Sequence, residues 1–407
     1  MLSHLKHTCN RFSTPIALGI AIIMIATVSI LFSGVLSPAH STTSSLPREH
    51  NMWAQQHPTE VKSAWAIQNI TRLVNTSGAP VATDGEKIFR IDSNTGDHLW
   101  EYHVDGAVVC DITDFQGDVM AVYNKNGAGC GSYIILNAQS GEVEHTAHYG
   151  EPSDVAALVS QAGHTAVVYP TRVRVVRNDL VTTSEFGNSP YPIADTDQVY
   201  TGCTISDVSL NNEKYAVAST CTVKKNNQQE NTYSIKILQL VPEESTQGIE
   251  VMNSINTGVD DPATIPIMTK AMIGFVRGGN DPAFYSWELT KSQQLVAKTF
   301  ITPGTYGFPY QDFEGIGYVW RVGEQTMLRH GSEDITNPYT LDGTIGSASR
   351  SDNNLLIPQH GAIVVWNPME NIHDTIRAEG LTGTQFGFAG NTFMALSAGV
   401  LTGYQPK

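Results

Sequence analysis

Four cysteines, Cys110, Cys130, Cys203 and Cys221, offer the most definite chemistry in this sequence. An even number of thiols in an oxidising compartment points to two disulfides, and four cysteines allow three pairings. Pairing of neighbours, Cys110 with Cys130 and Cys203 with Cys221, is expected because each pair falls inside one of the repeat units described below. No Cys-x-x-Cys spacing supports a tetrahedral thiolate metal centre instead. A fifth cysteine, Cys9, stands apart near the N-terminus. With His4 and His7 it could ligate a metal, but three such residues on a free tail read as ordinary tail residues.

Other reactive groupings are sparse. Arg172, Arg174 and Arg177 form the one basic cluster, a possible anion patch for a phosphate or a lipid headgroup. On a strand, Arg172 and Arg174 share a face while Val173 and Val175 point the other way, so the plainer reading is a solvated outer strand. Asp92 to Asp97 resembles a calcium loop, but Gly96 and His103 stand where that loop needs ligands, and the stretch reads as a turn. Asp111, Asp114, Asp118 and the pair Asp260-Asp261 could hold a divalent ion, although solvated loops are the default for such groups. The aromatic run from Phe300 to Trp320, with Tyr306, Phe308, Tyr310 and Phe313 interleaved with glycines, could be a recognition loop or packing between sheets. There is no Gly-x-Ser-x-Gly elbow, no His-Glu-x-x-His and no phosphate loop. No catalytic, cofactor-binding or metal-ligating residue is therefore assigned.

The elements that must position these groups begin with an export signal. Between Phe12 and Pro47 there is no Asp, Glu, Lys or Arg, and Ile16 to Leu36 is continuously apolar or small. As a helix that run spans about 31 Å, which matches a hydrocarbon core of roughly 30 Å. Lys6 and Arg11 precede it, so residues 1–11 are expected in the cytoplasm, 12–36 in the membrane and the remainder outside. Residues 37–52, rich in Ser, Thr and Pro, read as a flexible stalk, and 53–407 as the folded extracytoplasmic domain. Ser37-Pro38-Ala39 leaves open the alternative of cleavage near Ala39 and secretion.

Charge narrows the partners. The 407 residues carry 24 basic and 39 acidic groups, and with Lys6 and Arg11 inside the exported part is more acidic still. That balance argues against nucleic acid, which needs clustered Lys and Arg.

The exported part shows almost no helical periodicity. Short β-branched and aromatic runs alternate with Gly, Asn, Asp and Pro, an all-β pattern. Pro80 to Thr83, the Asp84-Gly85 turn, Lys87 to Asp92, a second turn at Ser93-Asn94-Thr95-Gly96, and Asp97 to His103 make one clear unit. Tyr133 to Glu142 repeats the second turn, and His360 to Pro368 and Ala398 to Tyr404 repeat the hairpin. Units of about 40–45 residues with four strands each mark a β-propeller. Parsed onward, the units fall near 70–104, 107–150, 154–187, 203–258, 264–302, 305–341, 345–380 and 383–404. The last is short by a strand, which Val61 to Ile67 could supply, closing the ring and leaving no open edge. Eight four-stranded blades are expected, with seven as the alternative. Lys224 to Asn231 reads as a protruding polar loop.

Ile91 to Trp100 (IDSNTGDHLW) resembles the repeat of quinoprotein-type (PQQ-like) propellers, in which a Trp docks each blade onto the Gly-containing turn of its neighbour. Trp100 matches the docking position, Gly96 the turn, and Gly141 the turn of a second copy that has His145 where the Trp would stand. The resemblance implies a propeller fold and blade docking by these residues. It does not extend to the cofactor: the adjacent cysteine pair of the quinone enzymes is missing, so PQQ is not expected. Non-enzymatic members of the family, such as the propeller lipoprotein that assists outer-membrane protein assembly, act as scaffolds. The sequence is accordingly read as a membrane-tethered propeller that binds a protein of the cell envelope. The alternatives are a propeller binding a small ligand or glycan, or an enzyme using the central channel. Candidate inner strands at 108–113 and 205–210 supply only Asp111 and Asp207 as charges, which disfavours the channel readings.

Overall fold

The computed structural model describes residues 39–44, 53, 56–76, 78–188, 200, 202–225, 228–242, 251–257, 263–277, 282–289, 295–300, 306–313, 317–330, 334–368 and 372–407. The apolar run at 16–36, His4, His7, Cys9 and the Asp260-Asp261 pair lie outside the described residues. Among the described residues no helix is long and apolar enough to cross a membrane.

Among the described residues the regular elements are all strands. β1 (Ala39–Thr42) and β2 (Glu60–Ile67) precede a first set, β3 (Arg72–Thr76), β4 (Ala79–Thr83), β5 (Lys87–Ile91) and β6 (His98–Val104). The second set is β7 (Ala107–Phe115), β8 (Asp118–Lys125), β9 (Ser132–Leu136) and β10 (Val143–His148). β11 (Ala157–Gln161), β12 (His164–Tyr169), β13 (Arg172–Arg177) and β14 (Thr182–Gly187) follow. Then come β15 (Cys203–Leu210), β16 (Lys214–Lys225), β17 (Gln228–Gln239) and β18 (Val251–Asn256). β19 (Ala263–Met268), β20 (Met272–Arg277), β21 (Ala283–Glu288) and β22 (Leu295–Phe300) form the next. The chain ends with β23 (Tyr306–Phe313), β24 (Gly317–Val322), β25 (Gln325–Arg329) and β26 (Tyr339–Leu341), then β27 (Ser349–Ser351), β28 (Asn354–Gln359), β29 (Ala362–Asn367) and β30 (Ile372–Ala378), then β31 (Gln385–Ala389), β32 (Thr392–Ser397) and β33 (Val400–Pro406).

Each set is an antiparallel meander joined by the turns its sequence demands. At Asp84-Gly85, for example, Gly85 takes φ +96° and the Asp84 carboxylate accepts the N–H groups of Glu86 and Lys87. The final set has three strands of its own, and β2 supplies the fourth by pairing antiparallel with β33, as Val61 to Ile67 foreshadowed. A short parallel contact of β2 with β30 merges the last two sets into one eight-stranded sheet.

The core lies between sheets, and it runs around the whole molecule. Ile88 and Trp100 pack with Ile112 and Ile134, Val122 and Tyr133 with Val167, and Val173 and Phe186 with Val217. Ile235 and Ile273 share a cluster with Trp320, Leu328 with Leu355, and Leu356 with Phe393. Met394 and Leu401 then pack on Phe89 and Ile91, bringing the last sheet back to the first. This is a propeller-like stack of four-stranded sheets, with β3, β7, β11, β15 and β19 as neighbouring innermost strands.

Three expectations are corrected. The stalk is not free throughout: residues 39–42 form β1, which pairs antiparallel with β6, because β6 would otherwise leave a row of unpaired backbone groups at the sheet edge. Lys224 to Asn231 is not a loop between strands. β16 and β17 continue past the sheet as a two-stranded hairpin, in register out to Lys225 and Gln228. Of the aromatic run, Tyr306, Phe308, Tyr310 and Phe313 lie on β23, the first strand of its sheet, and not in a recognition loop. Phe313 packs into the core shared with the following sheet, and the side chains of the other three lie outside the described residues.

Candidate functional site

Two tryptophans dock sheets together. The Trp100 ring lies on the β9–β10 turn, donates from Nε1 to the Ala138 carbonyl at 3.1 Å, and is fully buried. A Cβ at Gly141 would meet that ring at 2.7 Å, and Gly141 also holds φ +78°, so only glycine fits there. Trp65 on β2 does the same to the previous turn. Its Nε1 donates to the Ser93 carbonyl at 2.8 Å, and a Cβ at Gly96 would meet its ring at 3.0 Å. Trp65 carries the contact between the closing sheet and the first one. Sequence reading placed Trp65 on the closing strand but did not see its docking role, because no Thr-Gly turn precedes it in its own set.

Two carboxylates on innermost strands, Asp111 and Asp207, are structural latches. Asp111 Oδ2 accepts the N–H of Leu158 on β11 at 2.8 Å, and Oδ1 accepts the N–H of Ile112 while meeting Arg72 of β3 at 3.2 Å. Asp207 repeats the device: Oδ2 accepts the N–H of Ile265 on β19 at 2.6 Å, and Oδ1 that of Val208 at 2.8 Å. Both residues sit at a register shift of their strand, which turns the side chain towards the next sheet. An amide does the same work where the ring closes, Gln385 Oε1 accepting the N–H of Leu73 at 2.8 Å. Burial pushes both carboxyls upward, Asp207 to about 6.

Both expected disulfides form, Cys110–Cys130 and Cys203–Cys221. Cys110 of β7 is tied to the loop after β8, and Cys203 of β15 to its register partner Cys221 on β16. Around the first, the loop after β8 is fastened to the linker that enters the next sheet. Cys130 N–H donates to Ser153 O and Tyr149 N–H to Gly131 O, each at 2.7 Å, while Asn124 Nδ2 donates to Asp154 at 2.8 Å. Val108, the register partner of Asn124, is 56% exposed, and Val155, next to Asp154, is 65% exposed. The result is a rigid rim with two large apolar side chains held in solvent beside a polar bridge.

Beneath that rim lies the basic cluster, and it is not a solvated patch. Arg172 and Arg174 are 1% and 2% exposed. Arg172 pairs with Glu151 of the linker and lies over the Tyr169 ring; Arg174 Nε donates to Glu185 at 2.6 Å and lies over the Tyr149 ring at 4.2 Å. Tyr169 donates to the Cys130 carbonyl and shares a 2.6 Å hydrogen bond with Tyr133, while Tyr149 donates to the Leu180 carbonyl. Burial and the neighbouring Arg174 pull Arg172 down to about 10, still cationic at neutral pH. Arg177 alone of the three is exposed, and it pairs with Asp179 at 2.8 Å. The strand is interior because a further sheet packs on each face of it, which alternation within 172–177 cannot reveal.

Of the other acidic positions noted in sequence, Asp92 and Asp114 hold turns, and Asp118, at the start of β8, reaches across its sheet. Asp92 Oδ1 accepts the N–H groups of Asn94 and Thr95, Asp114 that of Gly117, and Asp118 that of Ala138.

No protein-family model matches the chain, and no curated protein matches it. Among solved structures, Sqt1 of Saccharomyces cerevisiae is 9% identical, with 86% of this chain and 100% of that one covered and a TM-score of 0.51. BamB of Moraxella catarrhalis is 10% identical, covering 85% and 99% of the two chains at a TM-score of 0.48. The likeness to Sqt1 shows a shared propeller-like fold and nothing about activity.

Proposed function

We propose that the chain is an extracytoplasmic β-propeller of eight four-stranded blades, tethered to the cell membrane by residues 12–36, and that it serves as a protein-interaction scaffold of the envelope. The observation that carries this reading is the rim at the start of β7 and β11. Val108 and Val155 stand exposed on a surface immobilised by a disulfide, the Asn124–Asp154 bridge and the Glu151–Arg172 pair. A surface already rigid before contact loses little conformational entropy on binding, and exposed aliphatic side chains supply the area to be buried. The engagement of Asp111 and Asp207 in holding sheets together supports the same reading, because neither carboxylate is left to act on a ligand in the channel.

The test is chemical crosslinking of the full chain in its own membrane, wild type against a Val108→Asp/Val155→Asp double variant. A discrete protein adduct that the variant loses, with its thermal midpoint unchanged, supports the scaffold. Turnover of a small molecule with no captured protein sinks it.

A further inference from the structure

We infer that His40, His103 and Asp105 form a binding site for one divalent transition-metal ion of the Zn2+ type. Strand pairing assembles the site. His40 of β1 is the direct register partner of His103 on β6, so both side chains stand on one face. Asp105 opens the turn that follows β6, and its carboxylate reaches both rings. The imidazoles stack with centroids 4.8 Å apart at 16°. His40 Nε2 lies 3.3 Å from Asp105 Oδ2, and His103 Nε2 lies 3.6 Å from Asp105 Oδ1. The second separation is too long for a hydrogen bond. Ligands held about 2.0–2.1 Å from a tetrahedral zinc ion are about 3.3–3.5 Å from one another, close to both spacings. All three ligand atoms lie within 4.8 Å of one another, so an ion can be reached by small rotations of exposed side chains.

The donor set has a definite preference. Two imidazoles and one carboxylate suit Zn2+ and its neighbours rather than Ca2+ or Mg2+, which take oxygen. One neighbouring cation is already committed: Lys87, the partner of His103 on β5, has its ammonium on Glu101 at 3.0 Å.

An ion here would act as a clasp. β1 is four residues long with every side chain exposed, and it is held to β6 by backbone pairing and by the Glu101 N–H donated to Thr42 Oγ1. Metal bridging His40 to His103 and Asp105 would add a strong side-chain link across that edge to the backbone pairing. On the tethered reading, it would fix how the propeller hangs from its anchor; the site itself does not depend on that reading.

The experiment is calorimetric titration of ZnCl2 into the full chain in detergent micelles, first stripped with EDTA. The expected result is one Zn2+ per chain, with affinity lowered about tenfold or more in His40→Ala, His103→Ala and Asp105→Asn. Zn2+ should also slow amide exchange over residues 39–44 in the wild type and not in His103→Ala. His145→Ala, an exposed histidine on β10, serves as the control. The inference is overturned by the absence of saturable one-to-one binding, by affinity unchanged in His103→Ala, or by equal weakening in His145→Ala.

Discussion

The Asp207 carboxylate accepts the backbone N–H of Ile265 across the gap between two sheets at 2.6 Å. The same relation, Asp111 to Leu158 and Gln385 to Leu73, recurs elsewhere on the innermost strands. A side-chain oxygen thus replaces the strand–strand hydrogen bond that the splay between sheets prevents.

Asp207 makes stability depend on pH in a stated direction. Its folded-state pKa is raised from 3.8 to about 6, so the folded chain binds a proton more tightly than the unfolded one between those values. Stability therefore falls as pH rises from about 4 to about 6, by up to about 3 kcal/mol, and is flat above. Asp111 is shifted in the same direction. Urea midpoints measured from pH 4 to pH 7 should show this decline, and Asp207→Asn should remove most of it. At pH 7 the same variant should still be less stable by about 1–3 kcal/mol, because its NH2 group would face an N–H donor.

Trp100 and Gly141 act as one unit. Trp100→Ala should cost about 3–5 kcal/mol, and Gly141→Ala about 1–3 kcal/mol from the clash with the ring and the strained φ. Once the ring is gone the clash disappears. The double variant should then be more stable than the sum of the two losses predicts, as a double-mutant cycle in denaturant would report.

Breaking the buried pair between Arg172 and Glu151 should be severe. Glu151→Gln leaves two guanidinium groups buried with less compensation, and a loss of about 3–5 kcal/mol is expected. Arg177→Ala, at the exposed end of the same strand, should leave stability almost unchanged, because solvent screens its pair with Asp179. Equal effects of the two substitutions in thermal melts would contradict the burial described for β13.

The disulfides close loops of 20 and 18 residues. Replacing either pair by serine should cost about 3 kcal/mol in the chain-entropy account. Non-reducing peptide mapping should recover Cys110 with Cys130 and Cys203 with Cys221, and neither pair crossed.

The sequence by itself determined what depends on neighbours along the chain. Gly85 and Gly96 permit the positive φ that their turns use, and Asp84 and Asn94 are turn formers, so turns, strands and the repeat were legible without a structure. Cysteines within one unit were legible for the same reason, and so was the missing strand, since an open edge is a cost that Val61 to Ile67 could relieve. Only the tertiary structure decided burial and long-range company. Arg172 and Arg174 alternate with valines as a solvated strand would, yet sheets packed on both faces bury them. Trp65 meets a turn near Ser93, and His40 meets His103, only because the N-terminal strands cross to sheets formed elsewhere in the chain. A residue's own chemistry sets its backbone, but what lies against its side chain is set by the packing of sheets distant in sequence.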